Sequence, residues 1–315
     1  SAMKIVCCTN MPYAREAFST LGDVLVKDGR TITAEDVRGA DILAIRSTTK
    51  AGRALLDNSS VRFVGTATIG FDHMDTAWFD GAGIKWCYAP GCNANSVSEY
   101  VAAALLCLAN RHNLTLDGKT IGVVGVGNVG SLVVEKAQAL GMRVLQNDPP
   151  RERGQRSGIR GRTTDNRQPA TSPPFVSLKR VLAESDIITM HVPLTKEGQD
   201  KTYHMADKAF FAKMKPGCTF INSARGAIVV TDALLAALGK GIVSHAVIDT
   251  WEGEPAFRPD LLDKAGIGTP HIAGHSVEGK VMGTVMVYRE ACRFIGVEAT
   301  WTPDGGGDPV SIWLP

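Results

Sequence analysis

Short runs of apolar residues alternate with more polar stretches along the first hundred or so positions of the chain. Three runs bounded by polar residues or glycine are typical of buried strands. They begin at Met3 (Met-Lys-Ile-Val-Cys-Cys), Asp41 (Asp-Ile-Leu-Ala-Ile) and Arg62 (Arg-Phe-Val-Gly-Thr). A helix is predicted around residues 14–21. This alternation predicts a small parallel α/β unit.

A second alternating series follows an Ala- and Leu-rich stretch, residues 96–110, which predicts a long helix connecting two domains. The strands predicted in this series begin at Gly118, Arg143, Asp186, Cys218 and His245. Residues 277–296 again have helical character and are expected to return the chain to the first domain. The pattern predicts an α/β protein with two doubly wound parallel sheets. Residues 1–98 and 278–315 would form one discontinuous domain, and residues 99–277 the other.

The first strand of the second domain runs directly into Gly125-Val-Gly-Asn-Val-Gly. A strand, this glycine spacing and a following helix together form the dinucleotide-binding fingerprint, whereas the glycines alone are a weak signal. Gly125 allows the tight turn, Gly127 lets the backbone approach a pyrophosphate, and Gly130 lets helix and strand pack closely. The alternative is a glycine-rich turn without a ligand.

The residues after these glycines predict which dinucleotide binds. N–H groups at the helix start, which includes Asn128 and Val129, can bind the phosphates. Asp148, at the end of the next strand, can accept hydrogen bonds from the adenosine ribose, which favours NAD over NADP, although Arg151 nearby could pair with a 2′-phosphate. The larger domain is therefore predicted to be a Rossmann-type NAD domain and the smaller one a flavodoxin-like substrate domain.

Three loop-like segments between residues 222 and 274 each place one ionisable side chain near glycine or proline: Arg225, Glu254 and His271. Oxidation of a 2-hydroxy acid needs a base for the hydroxyl proton, a hydride acceptor and a cation for the carboxylate. His271 suits the proton transfer, Glu254 can fix its tautomer, and the planar Arg225 guanidinium can bind the carboxylate. Each residue could instead be structural, but their joint occurrence favours catalysis. Asp249 is expected at the nicotinamide end of the cofactor or in a strand-terminal turn.

Composition narrows the remaining possibilities. The 315 residues are 44% hydrophobic and 21% charged with a net charge of +2, which predicts no attraction to nucleic acid or to an anionic membrane. No apolar run approaches the roughly 20 residues of a membrane span, and no signal peptide is expected. The seven scattered cysteines predict neither a disulfide framework nor a zinc site. We therefore expect a cytoplasmic protein without bound metal.

One arginine-rich segment, residues 149–174, has six arginines among Gly, Pro and Ser and no hydrophobic period. A solvated loop is the first expectation, and a phosphate-binding role is the alternative. The tail from residue 302, which is rich in Gly and Pro, predicts no clear element.

Several longer motifs go beyond these general patterns. They begin at Asn10 (Asn-Met-Pro-Tyr-Ala-Arg-Glu), Arg46 (Arg-Ser-Thr-Thr-Lys), Phe63 (Phe-Val-Gly-Thr-Ala-Thr-Ile-Gly), Ala89 (Ala-Pro-Gly-Cys-Asn-Ala), Asn147 (Asn-Asp-Pro-Pro-Arg) and Ile267 (Ile-Gly-Thr-Pro-His-Ile-Ala-Gly). Together they resemble the D-isomer-specific 2-hydroxyacid dehydrogenase family, above all a member that oxidises 4-phospho-D-erythronate. The resemblance runs from about residue 3 to residue 296.

The resemblance implies NAD-dependent oxidation of a small phosphorylated hydroxy acid, 4-phospho-D-erythronate, to 2-oxo-3-hydroxy-4-phosphobutanoate in pyridoxal 5′-phosphate biosynthesis. It implies that Arg225, Glu254 and His271 are catalytic, that Val192, Asp249 and Gly274 lie along NAD, and that Ser47, Thr68 and His275 contact the substrate, with Arg46 and Lys50 as helpers for the phosphate.

Three departures from the family qualify these expectations. His275 stands where the family usually has a tyrosine, the segment 149–174 is longer than the family's loop, and a C-terminal dimerisation domain is expected to be absent. A homodimer would then be lost or would form through the interdomain helices. The alternatives are a dehydrogenase of another D-2-hydroxy acid, such as 3-phosphoglycerate, and a non-catalytic NAD-binding regulator.

Overall fold

The computed structural model describes residues 2–156 and 173–303. Most of the predicted arginine-rich loop, residues 157–172, and the tail from residue 304 lie outside this described part. The chain divides into two compact units, one with the residues up to Asn93 and from His275 onward, the other formed by Ala94–Gly274. The domain limits predicted after residues 98 and 277 stay a prediction.

The first unit has a five-stranded parallel sheet in the order β2-β1-β3-β4-β5. The strands are β1 (Lys4–Cys8), β2 (Asp23–Lys27), β3 (Ile42–Ile45), β4 (Phe63–Thr66) and β5 (Lys85–Tyr88). Every residue of β3 and β4 is buried, as expected for central strands of a parallel sheet. The edge strands β2 and β5 are absent from the sequence prediction because they are partly exposed and lack a continuous apolar run.

Four helices follow strands of this unit, and the predicted helix at residues 14–21 is shorter than expected. They are α1 (Ala14–Phe18), α2 (Ala34–Val37), α3 (Arg53–Leu56) and α4 (Thr76–Ala82). Buried residues such as Phe18 and Phe79 point from them into the core of the unit.

The second unit has a six-stranded parallel sheet in the order β11-β10-β9-β8-β6-β7. Its strands are β6 (Thr120–Val124), β7 (Arg143–Asn147), β8 (Ile187–Met190), β9 (Cys218–Asn222), β10 (Val243–Ile248) and β11 (Ile267–Gly268). Its helices are α5 (Ala94–His112), α6 (Asn128–Ala139), α7 (Pro149–Arg156), α8 (Leu178–Glu184), α9 (Lys208–Ala212), α10 (Thr231–Gly239) and α11 (Pro259–Lys264). The prediction of two parallel α/β sheets is confirmed.

The last helix, α12 (Val277–Ile295), belongs to the core of the first unit. Tyr288 is fully buried there, its ring meets that of Phe18 edge-on at 5.8 Å, and its hydroxyl lies 2.9 Å from the hydroxyl of Thr20. The helix at residues 277–296 is therefore observed close to its predicted bounds.

The helix α7 corrects part of the prediction for residues 149–174, which was a loop. Pro149 and Pro150 occupy the first turn, where a missing N–H costs no intrahelical bond. The Asp148 carboxylate accepts a hydrogen bond from the Arg151 backbone N–H at 3.1 Å and so caps the helix start. The prediction relies on a hydrophobic period, which this helix lacks, and so misses the helix start that the two prolines and the cap indicate.

The strand order of the second unit predicts where a ligand binds. β6 pairs with β7 on one side and β8 on the other, so the chain turns in opposite directions after β6 and β7. In open α/β sheets this switch point leaves a crevice at the carboxyl ends of the strands. The residues that follow β6, β7 and β8 are therefore the first candidates for cofactor contact.

Candidate active site

The glycine loop follows β6 and leads directly into α6. Gly125 has a φ of 87°, and a Cβ there would lie 2.7 Å from backbone atoms of His191 and Val192. A Cβ on Gly130 would lie 2.0 Å from the carbonyl oxygen of Gly125. A Cβ on Gly127, in contrast, would have no heavy atom of the described residues within 4 Å apart from its chain neighbours. Gly125 and Gly130 therefore permit close backbone packing, whereas Gly127 leaves open space.

The space at Gly127 fits a dinucleotide pyrophosphate. The helix α6 starts at Asn128, with Val129 next, and the first N–H groups of a helix have no partner within it. These N–H groups and the positive end of the helix dipole bind phosphate well. Val192, beside Gly125, lies at the switch point between β6 and β8.

Asp148 follows β7 and lies beside the glycine loop. Its Oδ2 accepts a hydrogen bond from the Val126 N–H at 2.8 Å, and its Oδ1 accepts the bond from the Arg151 N–H. The Arg151 guanidinium donates to the carbonyl oxygen of Val126. Each carboxylate oxygen of Asp148 retains acceptor capacity for a ribose hydroxyl. Its negative charge disfavours a 2′-phosphate, so the position fits NAD.

Arg225 lies in the loop after β9, and backbone contacts fix this loop. The Asn222 amide group donates to the Arg225 carbonyl oxygen at 3.0 Å, while its Oδ1 accepts from the Ala224 N–H at 3.2 Å. A Cβ on Gly226 would lie 1.9 Å from the carbonyl oxygen of Trp251. The loop that carries Arg225 is therefore packed directly against the segment that follows β10.

Asp249, which directly follows β10 and is 1% exposed, organises the segment that carries His271. Its Oδ1 accepts from the Thr269 hydroxyl at 2.6 Å and the Ile272 N–H at 2.8 Å, and its Oδ2 accepts from the Ala273 N–H at 2.9 Å. Its carbonyl oxygen accepts from the His271 N–H at 2.8 Å. These bonds hold His271 at a φ of 56°, which is uncommon for a residue other than glycine. The nicotinamide contact of Asp249 stays a prediction.

His271 and Glu254 form a direct pair, with 2.6 Å between Nδ1 and Oε1. The other oxygen of Glu254 accepts from the Trp251 N–H at 3.1 Å, which fixes the carboxylate. Within the described part of the chain, Nε2 of His271 has no hydrogen-bond partner. Because the side chain is 48% exposed, this nitrogen is available to a substrate.

The charges around this pair favour a protonated imidazole. The hydrogen bond to Glu254 raises the pKa of His271, burial and the charge of Arg225 lower it, and the negative charges of Glu254 and Asp249 raise it, so that the pKa lies above its usual value. Burial raises the pKa of Glu254, but the hydrogen bonds from His271 and Trp251 and the nearby positive charges bring it below its usual value. The positive charge of Arg225 thus acts on the pKa of both groups in the same direction, lowering each.

The three residues predicted to contact the substrate belong to the first unit. Ser47 is exposed in the turn after β3, Thr68 is half-buried shortly after β4, and His275 is exposed where the chain re-enters this unit. Arg46 is half-buried beside Ser47, and it donates to the Ala67 carbonyl oxygen at 2.8 Å. Burial lowers the pKa of Arg46, although the guanidinium stays charged.

Some positioning residues are absent from the sequence prediction. They are Thr66, His73, Asn222, Gly226 and Thr269. Asn222 and Gly226 lie in the same segment as Arg225, so their proximity could have drawn attention to them. The Thr269 hydroxyl bonds to Asp249, 20 residues away, and to Tyr100, and no local signal predicts either contact.

The described residues contain no group of three or more His, Cys, Asp or Glu side chains that could hold a metal ion. None of the described helices combines the length and apolar character needed to cross a membrane. None of the seven cysteines takes part in a disulfide.

Comparisons with known proteins agree with this geometry. The family model described as D-isomer specific 2-hydroxyacid dehydrogenase, NAD binding domain, matches residues 107–273. The chain belongs to this family. The erythronate-4-phosphate dehydrogenase of Bacteroides fragilis is 47% identical over 300 residues, or 95% of this chain and 82% of that protein. The protein of the same name from Salinibacter ruber is 43% identical over 311 residues, or 99% of this chain and 76% of that protein.

Solved structures have the same fold as this dehydrogenase. The D-lactate dehydrogenase of Aquifex aeolicus, complexed with NAD and lactic acid, matches with a TM-score of 0.73 and 25% identity over 93% of this chain and 95% of that one. The NAD⁺-bound 3-phosphoglycerate dehydrogenase of Entamoeba histolytica matches with a TM-score of 0.74 over 94% of this chain and 96% of that one; at 22% identity it speaks for the fold alone. The chain is an NAD-dependent D-2-hydroxyacid dehydrogenase, so the cofactor predicted from the glycine fingerprint is confirmed.

Proposed function

We propose that this dehydrogenase oxidises 4-phospho-D-erythronate at C2, giving 2-oxo-3-hydroxy-4-phosphobutanoate for pyridoxal 5′-phosphate biosynthesis. Relatives that carry the name erythronate-4-phosphate dehydrogenase and cover most of the chain support this substrate. The observation that carries the reaction type is the 2.6 Å hydrogen bond between His271 and Glu254, with the other ring nitrogen available to a substrate.

In the proposed reaction, neutral His271 accepts the proton of the C2 hydroxyl at Nε2. Glu254 stabilises the imidazolium that forms, because its negative charge and its hydrogen bond at Nδ1 both favour the protonated ring. Arg225 binds the substrate carboxylate through its planar guanidinium and stabilises negative charge that develops on the C2 oxygen. NAD, when bound, would supply the acceptor for the hydride that leaves C2, so that the electron pair and the proton go to different groups.

The cofactor contacts that we propose follow the switch point of the second sheet. Gly125, Gly127, Asn128, Val129 and Gly130 would hold the pyrophosphate, Asp148 the adenosine ribose, and Val192, Asp249 and Gly274 the remaining length of NAD. The negative charge of Asp148 supports NAD over NADP.

Ser47, Thr68 and His275 are the proposed substrate contacts, and Arg46 and Lys50 carry positive charge suited to the phosphate. His275 replaces the tyrosine usual in the family, and a histidine can still donate a hydrogen bond to a phosphate or hydroxyl. A small phosphorylated hydroxy acid is the proposed partner in solution. We also propose that the chain forms a homodimer and acts in the cytoplasm.

The experiment that tests this proposal is a substrate panel with NAD. NADH production would be followed with 4-phospho-D-erythronate, D-3-phosphoglycerate and D-lactate, first with the wild-type chain and then with His271→Asn. We expect the highest kcat/KM for 4-phospho-D-erythronate and loss of turnover in the variant.

The outcomes separate the alternatives. A higher kcat/KM for 3-phosphoglycerate would overturn the proposed substrate, and His275 would then be the first residue to exchange for tyrosine. NAD binding without turnover of any acid would overturn the enzymatic role in favour of a regulator.

A further inference from the structure

A short polar network lies in the first unit. It consists of Thr68, Thr66 and His73, with Thr66 bonded to both of the others. The Thr68 hydroxyl lies 2.7 Å from the carbonyl oxygen of Gly70 and 2.7 Å from the Thr66 hydroxyl. The Thr66 hydroxyl also lies 2.8 Å from Nε2 of His73. Thr66 is fully buried and Thr68 is half-buried, just beyond the carboxyl end of β4.

The direction of each bond in this network follows from its proton inventory. The Gly70 carbonyl oxygen can only accept, so Thr68 must donate its one proton there. The bond between the two threonines then requires Thr66 as the donor. Thr66 has no second proton, so His73 must donate to it from Nε2.

The state of His73 agrees with this assignment. Burial lowers its pKa to about 4, although Asp72 raises it in part, so the ring is neutral near pH 7 and has one N–H. The network assigns that proton to Nε2. His73 therefore positions the Thr66 hydroxyl, and through it the Thr68 hydroxyl.

One hydrogen-bonding position of the Thr68 hydroxyl remains open. A hydroxyl donates one hydrogen bond and accepts up to two, and Thr68 uses its proton on Gly70 and one lone pair on Thr66. What it still offers is a single acceptor site. A carboxylate or a phosphate, which mostly accept, would place oxygen against a lone pair, whereas a hydroxyl donor fits.

Ligands of open α/β sheets bind at the carboxyl ends of the strands, where Thr68 lies. On the proposed substrate, the carboxylate and phosphate are acceptors, and the C2 hydroxyl gives its proton to the base. We propose that Thr68 accepts a hydrogen bond from the C3 hydroxyl and thereby selects acids that carry a hydroxyl beside the reacting carbon. This inference rests on the proposed function, because the C3 hydroxyl is a group of that substrate.

The test compares two substrates that differ only at C3, 4-phospho-D-erythronate and its 3-deoxy analogue, D-2-hydroxy-4-phosphobutanoate. The wild-type chain should favour the first by about tenfold in kcat/KM, the size of one neutral hydrogen bond. Thr68→Val keeps the shape, removes the acceptor and should bring the ratio close to one, mainly by slowing the hydroxylated substrate. Thr68→Ser should retain the preference.

Two further variants separate positioning from folding. His73→Gln can still donate to Thr66 and should keep the preference, whereas His73→Leu should lower it. Thr20→Val is the matched control, because the Thr20 hydroxyl bonds to Ala17 and Tyr288 in the same unit and has no part in the network. It should leave the ratio unchanged.

A preference that survives in Thr68→Val, or an equal loss for both substrates, would overturn the inference. If the wild-type chain oxidises neither phosphorylated acid but oxidises D-glycerate or D-lactate, the proposed substrate fails alone. The ratio within that second pair, which also differs by a C3 hydroxyl, then decides the role of Thr68. Turnover of neither pair would overturn both proposals.

Discussion

The second unit has two carboxylate–imidazole pairs whose glutamates lie two residues apart and whose hydrogen bonds have the same length. Glu252 pairs with His204, and Glu254 pairs with His271, each with 2.6 Å between nitrogen and oxygen. Both histidines have a left-handed backbone, with φ values of 55° and 56°. Distance and backbone conformation therefore do not distinguish a structural pair from a proposed catalytic one.

The surroundings do distinguish them. His204 binds Glu252 through Nε2, and its ring is stacked on Tyr203 at 3.9 Å between centroids. The second oxygen of Glu252 accepts from the Thr231 N–H at 2.8 Å, so this pair is tied to the first turn of α10.

His271 instead binds through Nδ1, and the positive charge of Arg225 acts on its pKa. The other ring nitrogen has no hydrogen-bond partner among the described residues in either pair, so the nearby charge and the stacked tyrosine, rather than a free nitrogen, separate the two pairs. A carboxylate–imidazole pair is suited to proton transfer when the ring nitrogen that does not bind the carboxylate can reach the substrate and a nearby cation can bind the substrate carboxylate.

Substitution of each histidine in turn should give the largest difference in kcat between the two pairs. His271→Asn keeps a residue that tolerates a left-handed backbone but removes the base, so kcat should fall by about 10²- to 10⁴-fold. His204→Asn should retain most of the activity. Steady-state kinetics measures both, and fluorescence titration with NADH should give similar Kd values for the two variants and the wild type. Comparable losses of kcat in both variants would remove the distinction between the pairs.

Sequence alone predicts much of this arrangement, for physical reasons. Central strands such as β8 and β9 are buried at every position and read as apolar runs, and Arg225, Glu254 and His271 are ionisable groups next to glycine or proline in loops. The edge strands β2, β5 and β11 carry no such signal and are absent from the prediction, whereas the edge strand β7, with three buried residues, is predicted.

Contacts between distant segments are also beyond a local pattern. His204 lies 48 residues before Glu252, so the sequence shows neither their pairing nor that two such pairs exist. The proton directions around Thr68 likewise depend on contacts in three dimensions, of Thr68 with Gly70 and Thr66 and of Thr66 with His73. Such information appears only once the strands are in place.

A bulkier residue at Gly226 should disturb both pairs at once. A Cβ there would lie 1.9 Å from the Trp251 carbonyl oxygen and 2.6 Å from the Glu252 nitrogen, and backbone atoms cannot move aside easily. We expect Gly226→Ala to lower the free energy of unfolding by about 3 kcal/mol, the upper end for overpacking, and to reduce kcat. Urea denaturation and kinetics provide the measurements.

The matched control for this variant is Gly239→Ala, at the end of α10. A Cβ there meets no heavy atom of the described residues within 4 Å beyond its own helix and neighbours, and alanine favours a helix. Stability should be unchanged or higher. Equal destabilisation by both substitutions would argue against the close backbone contact at Gly226.

The pH dependence of oxidation should separate the two carboxylates. Because Glu254 raises the pKa of His271, Glu254→Gln should lower that pKa and move the acid limb of the kcat/KM profile to lower pH. Oxidation needs the neutral ring, so the limb follows this group directly. Glu252→Gln should leave the limb in place. A shift of equal size and direction in Glu252→Gln would mean that the limb does not report His271.

The smallest expected effect is on stability at Glu252. Burial raises the pKa of this carboxyl, but the hydrogen bonds from Thr231 and His204 lower it by more than burial raises it. The folded-state pKa therefore lies below the usual 4.5. The ionised carboxylate therefore stabilises the fold above the unfolded-state pKa, and this contribution is lost as pH falls through the lowered folded value.

Glu252→Gln should lower the free energy of unfolding by about 1 kcal/mol near neutral pH. In urea denaturation the difference from wild type should narrow in acid, whereas Asp232→Asn, at an 81% exposed side chain, should change little. A difference that is constant with pH would show that the charge of Glu252 does not stabilise α10.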